Sequence, residues 1–186
     1  LDPSEFHGIL PDRQYHRERD GWVTGHLMNL VIGQGYMLVT PLQMARYVAA
    51  LGNGGYLVTP HLQGKAPDPV RIEGITDATL DIVRRAMYRV VYGEHGTGKR
   101  AQVPGIEVAG KSGTAQGPRA DDDAWFVAFA PFEEPEIAVA VVVEGGGGGG
   151  SNAAPIARAV IKAYFDDQAQ RQAVAADSPN NKRRGS

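Results

Sequence analysis

The sequence contains no cysteine among its 186 residues, so disulfide bonds and thiolate metal sites are excluded. Long hydrophobic runs are missing as well: uninterrupted apolar stretches such as residues 137–143 fall far short of the roughly 20 residues that cross a bilayer. No secretory signal opens the chain. If the protein works outside the cytoplasm, we therefore expect its export or anchoring segment to lie outside these residues.

Charge of one sign is not in excess, because 19 basic residues oppose 21 acidic ones and the net charge is −2. This balance gives no electrostatic reason to expect nucleic acid or an anionic membrane surface as a partner. The five histidines show no metal-ligand spacing such as H-E-x-x-H, and the acidic run at 121–123 is typical of a solvated loop. No cofactor and no metal are therefore predicted.

Two helices are predicted in the first half of the chain, and the 42% apolar content is enough for one core. Thr40 followed by Pro41 is typical of a helix start, and the glycines from Gly52 onward end that helix. A second helix is predicted over residues 77–92. The apolar stripes are Leu42, Ala45, Val48 and Ala49 in the first helix and Leu80, Val83, Met87 and Val91 in the second. Residues 1–25 lack a clear period and are predicted to be loop.

Three strands are predicted in the second half, over residues 106–116, 125–130 and 137–144. The short link between the last two favours an antiparallel hairpin. The last strand alternates between an isoleucine and valine face and a face that is mainly alanine, so both faces are expected to be covered. These elements predict an α/β fold of the α+β type, an antiparallel sheet flanked by helices.

The C-terminal part is predicted to be a glycine connector, a helix and a tail. Residues 145–150 are all glycine and are predicted to be a flexible connector. A helix over 155–165 is expected to pack on the alanine face of the last strand. Its predicted apolar side is Ile156, Val160, Ile161, Tyr164 and Phe165. Residues 168–186 are predicted to form a disordered polar tail.

The strongest chemical signal is the run Lys111, Ser112, Gly113 and Thr114 on the first of these strands. A K-[ST]-G element is one of three motifs of penicillin-binding serine acyltransferases. Lysine and two hydroxyls on a strand edge can donate charge-assisted hydrogen bonds to a carboxylate, and glycine lets a ligand backbone approach. None of the five serines stands in the S-x-x-K nucleophile motif.

Other interpretations of the same letters remain open. Residues 105–112 fit the phosphate-loop pattern G-x-x-x-x-G-K-[ST] in full. That loop needs a strand before it and a helix beginning at the lysine, whereas Pro104 precedes it and Gly113 follows Ser112. The carboxylate receptor is favoured, ahead of a phosphate loop or a plain structural strand. Residues 33–35, Gly-Gln-Gly, are compatible with lining a cleft or with a simple turn.

Several blocks together resemble the class B penicillin-binding proteins, in particular the elongation-type peptidoglycan D,D-transpeptidases. The blocks occur at residues 8–11, 22–29, 32–44, 53–61, 96–98, 109–116 and 125–131. The resemblance implies a partial penicillin-binding and beta-lactamase-like fold. Residues 1–167 would be the C-terminal part of the transpeptidase domain, followed by the tail at 168–186.

The resemblance also implies a reaction and its partners. Lys111, Ser112, Gly113 and Thr114 would bind the terminal carboxylate of a D-Ala-D-Ala stem peptide or of a beta-lactam. Lys111 would also be catalytic, and the Thr114 backbone N–H would serve the oxyanion hole. The enzyme would act at the periplasmic face of the bacterial inner membrane, held there by an anchor that these residues lack.

The family's S-x-x-K and S-x-N motifs are expected in the missing N-terminal part of the same protein. Ser178, Pro179 and Asn180 match S-x-N by letter but lie downstream, in the predicted tail. This chain is therefore predicted to be inactive alone and to need that part as a partner. The alternative is a non-catalytic fragment that acts as a scaffold or binding module. If the family sheet order holds, residues 137–143 also await a neighbouring strand from the missing part.

Overall fold

A computed structural model describes residues 7–116 and 121–177. Five helices and five strands lie along these residues. They are α1 (Arg13–Arg17), α2 (Thr24–Val31), α3 (Pro41–Gly52), β1 (Tyr56–Leu57), β2 (Val70–Arg71), α4 (Asp77–Tyr92), β3 (Ala109–Ala115), β4 (Asp123–Ala130), β5 (Ile137–Val143) and α5 (Ala154–Asp177). Two short helical turns, Lys99–Ala101 and Gly149–Ala153, precede β3 and α5.

The two helices predicted in the first half are confirmed as α3 and α4. The Thr40 side chain accepts a hydrogen bond from the Gln43 backbone N–H at 3.1 Å, and the Gln43 side chain caps the Thr40 N–H in return. The predicted stripe of α4 faces the core, with Leu80, Met87 and Val91 buried. In α3 the buried residues, such as Val48 and Leu51, lie in the C-terminal half of the helix. The predicted stripe residue Leu42 is 42% exposed.

The predicted hairpin and the third strand form one antiparallel sheet in the order β3-β4-β5. Its register pairs Lys111 with Val127 and Val127 with Ala140. The central strand β4 is buried along most of its length, and Phe126 and Phe129 have no exposed surface. Buried clusters lie on both faces of the sheet, so the expectation that both faces of β5 are covered is confirmed.

The expectation that the C-terminal helix covers the alanine face of β5 was wrong. Helix α5 packs on the valine face, where Ala157 and Ile161 join Val139 in one buried cluster. The alanine face packs on α3, which contributes Val48 and Leu51 to a second cluster. Small residues stand opposite large ones in both layers, so the alanines of α5 admit the valines of β5.

The exposed side of α5 explains that error. Ile156 and Val160, both expected to be inside, are 45% and 46% exposed. The buried positions Ala154, Ala157 and Ile161 follow helical spacing, but two of them are alanines, which carry a weak hydrophobic signal. The helix therefore packs along its small residues and turns two of its larger apolar residues to solvent.

Two regions are helical where the sequence predicts irregular chain. Within residues 1–25, Asp12 caps α1 by accepting from the Tyr15 N–H at 2.8 Å. Helix α5 continues through residues 168–177, which were expected to belong to the disordered tail. An ion pair of 2.8 Å between Arg171 and Asp167 supports this exposed extension. The rest of that tail, residues 178–186, lies outside the described residues.

The last two glycines of the run, Gly149 and Gly150, are packed against their neighbours, so the prediction of a flexible connector was wrong for this part of the run. Gly149 is buried, and a Cβ there would lie 2.1 Å from the Trp125 carbonyl oxygen and 2.3 Å from that of Gly113. A Cβ on Gly150 would lie 2.0 Å from the Thr97 carbonyl oxygen. The turn therefore lies against β3, β4 and the loop after α4 at distances that only glycine allows.

A single methyl group should distinguish a packed turn from a connector. We expect Gly149→Ala to destabilise the protein by about 3 kcal/mol, the upper end of overpacking costs. Gly148→Ala is the matched control, because its Cβ would meet no atom closer than 3.7 Å. Urea unfolding of both variants measures the difference, and equal stabilities would contradict the packing argument.

Among the described residues, no helix has the length and apolarity required to cross a membrane. Within the same residues β5 pairs with β4 alone, and its other edge has no strand beside it. The neighbouring strand expected from outside this chain stays a prediction.

Candidate substrate-binding site

The four residues singled out in the sequence lie on β3, an edge strand of the sheet. Within the described residues β3 pairs with β4 on one side and with no strand on the other. Lys111 stands in the middle of the strand. A phosphate loop would place this lysine at the start of a helix, so that alternative was wrong.

Two contacts show which backbone groups face the open edge of β3. The Gln34 side chain donates to the Thr114 carbonyl oxygen at 3.3 Å, and Lys111 Nζ donates to the Ser112 carbonyl oxygen. Residues two apart in an antiparallel strand direct their N–H and C=O groups to the same edge. The Thr114 N–H therefore points away from β4, where a ligand can reach it.

The four residues of the run border two open cavities. Ser112, Gly113 and Thr114 line a cavity of about 490 Å³ together with residues 96, 97, 99, 100 and 148–151. Lys111 lines a second cavity, of about 590 Å³, which the C-terminal part of α4 borders. Thus the structure brings the two hydroxyls together and sets the lysine ammonium beside a neighbouring cavity.

The hydroxyl cavity favours an anionic ligand. Lys99 and Arg100 line it, and its described lining contains no carboxylate. Arg100 donates to the Ser151 carbonyl oxygen at 3.0 Å, which holds one cation against the glycine turn. Two positive charges beside the hydroxyls of Ser112 and Thr114 suit a carboxylate better than a neutral group.

Sequence reasoning left two neighbours of the site unassigned. Thr97 Oγ1 lies 2.7 Å from Ser112 Oγ. Its only signal was the Gly-Thr-Gly block at 96–98, which counted toward the family resemblance but received no role. Gln34, in the turn left open between cleft and scaffold, does reach the site through its bond to Thr114.

A separate cluster joins the two N-terminal helices. His16, which is 2% exposed, and His26 stack with ring centroids 3.7 Å apart. Asp20 lies between their nitrogens, 3.0 Å from His16 Nδ1 and 3.6 Å from His26 Nε2. The sequence showed no metal-ligand spacing, yet these three ligand atoms all lie within 4.8 Å of one another.

The hydrogen bonds favour shared protons over a metal ion in this cluster. The Val23 backbone N–H donates to His26 Nδ1 at 3.4 Å, so the neutral ring carries its proton on Nε2. That N–H faces the Asp20 carboxylate, so in this tautomer Nε2 is a hydrogen-bond donor and not a metal ligand. The cluster therefore acts as a clamp between α1 and α2.

The clamp should show in the pH dependence of stability. The hydrogen bond from His16 lowers the pKa of Asp20 below its ordinary 3.8, and the charge of His26 acts in the same direction against desolvation. A lowered pKa gives stability that is present above about 3.8 and is lost as the pH falls through the folded value. We expect Asp20→Asn to remove this acid-dependent loss.

Urea unfolding between about pH 5 and pH 3 measures that effect. The exposed Asp68 supplies the control variant Asp68→Asn. An Asp20→Asn protein with the same acid sensitivity as the unmodified protein would contradict the clamp.

Residues 2–162 match the family model of the penicillin binding protein transpeptidase domain. The chain belongs to this family. Its sequence is 37% identical to the peptidoglycan D,D-transpeptidase MrdA of Haemophilus influenzae over 86% of this chain and 29% of that protein. The resemblance deduced from the ordered blocks is confirmed.

Solved transpeptidase structures share the fold. A structure of Pseudomonas aeruginosa PBP2 in complex with WCK 5153 is 41% identical, with a TM-score of 0.78 over 86% of this chain and 38% of that one. A complex of Helicobacter pylori PBP2 with MreC is 32% identical, with a TM-score of 0.79 over 88% of this chain and 32% of that one. The predicted fold class is confirmed, and the chain spans about a third of each relative's length.

Proposed function

We propose that this segment is the donor-binding part of a peptidoglycan D,D-transpeptidase. The observation that carries the proposal is the Lys-Ser-Gly-Thr run on the open edge of β3, beside a cavity with two cations and no described carboxylate. The family membership gives this edge a substrate class, since the relatives are named as peptidoglycan transpeptidases. Their donor, a stem peptide ending in D-Ala-D-Ala, has the free carboxylate that such a cavity suits.

Each residue of the run has a distinct role in this proposal. The Ser112 and Thr114 hydroxyls donate hydrogen bonds to the donor carboxylate, and Lys111 supplies positive charge behind them. A Cβ on Gly113 would lie 3.2 Å from the Cβ of Trp125 on β4. Without a side chain, Gly113 also lets the donor backbone approach the strand closely. The donor can then lie along β3 as an added strand.

The same edge serves the acyl transfer. A serine hydroxyl attacks the carbonyl carbon of the penultimate D-Ala, and the carbonyl oxygen becomes an oxyanion. The Thr114 N–H, directed to the open edge, donates to that oxygen; one such donor is worth about 2.7–4 kcal/mol of transition-state stabilisation. The C–N bond then breaks, terminal D-Ala leaves as the amine, and the acyl-serine ester passes to an acceptor amine.

We place the nucleophile outside these 186 residues. The chain contains no S-x-x-K motif. Ser112, which lines the described cavity, is the serine of the K-[ST]-G element. The S-x-x-K serine and the S-x-N element would come from another part of the same protein. By the same reasoning beta-lactams are ligands of this site, and the whole protein acts on the periplasmic side of the inner membrane.

Removing the lysine charge tests the receptor. In the full-length protein we expect Lys111→Ala to lower the second-order rate of acylation by a labelled penicillin by about 10- to 100-fold, because the positive charge behind Ser112 and its hydrogen bond to the Ser112 carbonyl oxygen are lost. Lys65→Ala, on the exposed loop after β1, is the control. An unchanged rate for Lys111→Ala would remove the carboxylate role.

Comparing the two chain lengths tests where the nucleophile lies. We expect the full-length protein to be labelled covalently by penicillin and the 186-residue chain to remain unlabelled in intact-mass spectra. Stoichiometric labelling of the short chain would show that its nucleophile is internal. A folded full-length protein that binds penicillin without labelling would favour the scaffold alternative.

A further inference from the structure

Thr97 contacts Ser112, and the proposed function assigns it no role. It lies in the loop after α4, and its Oγ1 is 2.7 Å from Ser112 Oγ. Thr97 lines both cavities, the one that Ser112 and Thr114 line and the one beside Lys111. The hydroxyl pair is solvent-accessible, so a ligand can reach it.

Backbone packing holds Thr97 in place from both sides. On the α4 side, the Gly98 N–H donates to the Val90 carbonyl oxygen at 2.8 Å, and a Cβ on Gly98 would lie 3.0 Å from the Phe126 ring. On the other side, the glycine turn approaches so closely that a Cβ on Gly150 would lie 2.0 Å from the Thr97 carbonyl oxygen. The Thr97 hydroxyl is therefore presented to Ser112 by a rigid support.

The direction of this hydrogen bond follows from what the ligand can accept. A hydroxyl has one proton to donate and can accept two hydrogen bonds, whereas a carboxylate only accepts. When Ser112 donates its proton to a carboxylate, the contact with Thr97 persists only if Thr97 donates to Ser112. Hydrogen bonds in such a chain polarise and strengthen one another.

We propose that Thr97 is a positioning residue that donates to Ser112 Oγ and so directs the Ser112 proton to the donor carboxylate. The proposal rests on the function proposed above. It assigns Thr97 no contact with the reacting atoms; the residue acts through Ser112. Without the Thr97 hydroxyl, the Ser112 rotor loses the partner that orients it.

A double-mutant cycle in the full-length protein tests this role, with the second-order rate of acylation by a labelled penicillin as the readout. Thr97→Val removes the hydroxyl at nearly constant volume and should lower the rate by about 3- to 10-fold. Thr97→Ser should restore most of the rate. In a Ser112→Ala background, Thr97→Val should change the rate by less than about 2-fold.

Each result decides between this role and another. An equal loss in both backgrounds would show that Thr97 acts independently of Ser112, and an unchanged rate for Thr97→Val would also overturn the proposal. Thr59→Val, away from the cavity on the loop after β1, controls for the chemical change, and melting temperatures control for folding. Thr97→Ala replaces the valine variant in the cycle if valine prevents folding. Absence of labelling in the unmodified protein would instead count against the proposed function itself.

Discussion

The one-sided pairing of β3 is the constraint on which the site depends. Because β4 occupies one edge of β3 and no described strand occupies the other, the N–H groups of Ser112 and Thr114 face an edge that a ligand can reach, while their carbonyl oxygens accept from Lys111 and Gln34. The core enforces this arrangement, since β4 is buried on both faces and aligns β3 along its full length. An edge strand is ordinarily a liability, and in the proposed function it is the surface that binds the donor peptide.

Glycine makes the surroundings of that edge possible. The turn before α5 approaches β3 and the loop after α4 so closely that Gly149 and Gly150 have no room for a side chain. The turn forms one wall of the cavity that Ser112 lines, and Arg100 donates a hydrogen bond to the Ser151 carbonyl oxygen in that turn. The site is thus assembled from three segments distant in sequence: the loop at 96–100, β3, and the turn at 148–151.

The cations around the site and the histidine clamp have different physical roles. Lys99 and Arg100 lie along an open cavity, where their charge can act on a ligand. His16 and His26 instead direct protons to Asp20 and hold two short helices that bury little apolar surface of their own. Distances within such a cluster are compatible with a metal, whereas the backbone donor at His26 favours the tautomer that donates to Asp20.

Caps, periodicity and the K-[ST]-G element are short-range signals, so local patterns were enough to predict α3, α4, the three strands and the Lys-Ser-Gly-Thr run on the first of them. Only the tertiary structure decided which helix covers which face of β5, since the alanines of α5 carry little hydrophobic signal and pack through shape. The tertiary structure also packs Gly149 and Gly150 against neighbouring segments, where the sequence predicts a flexible connector. The pairing of Thr97 with Ser112 likewise joins residues 15 positions apart, which no local pattern specifies.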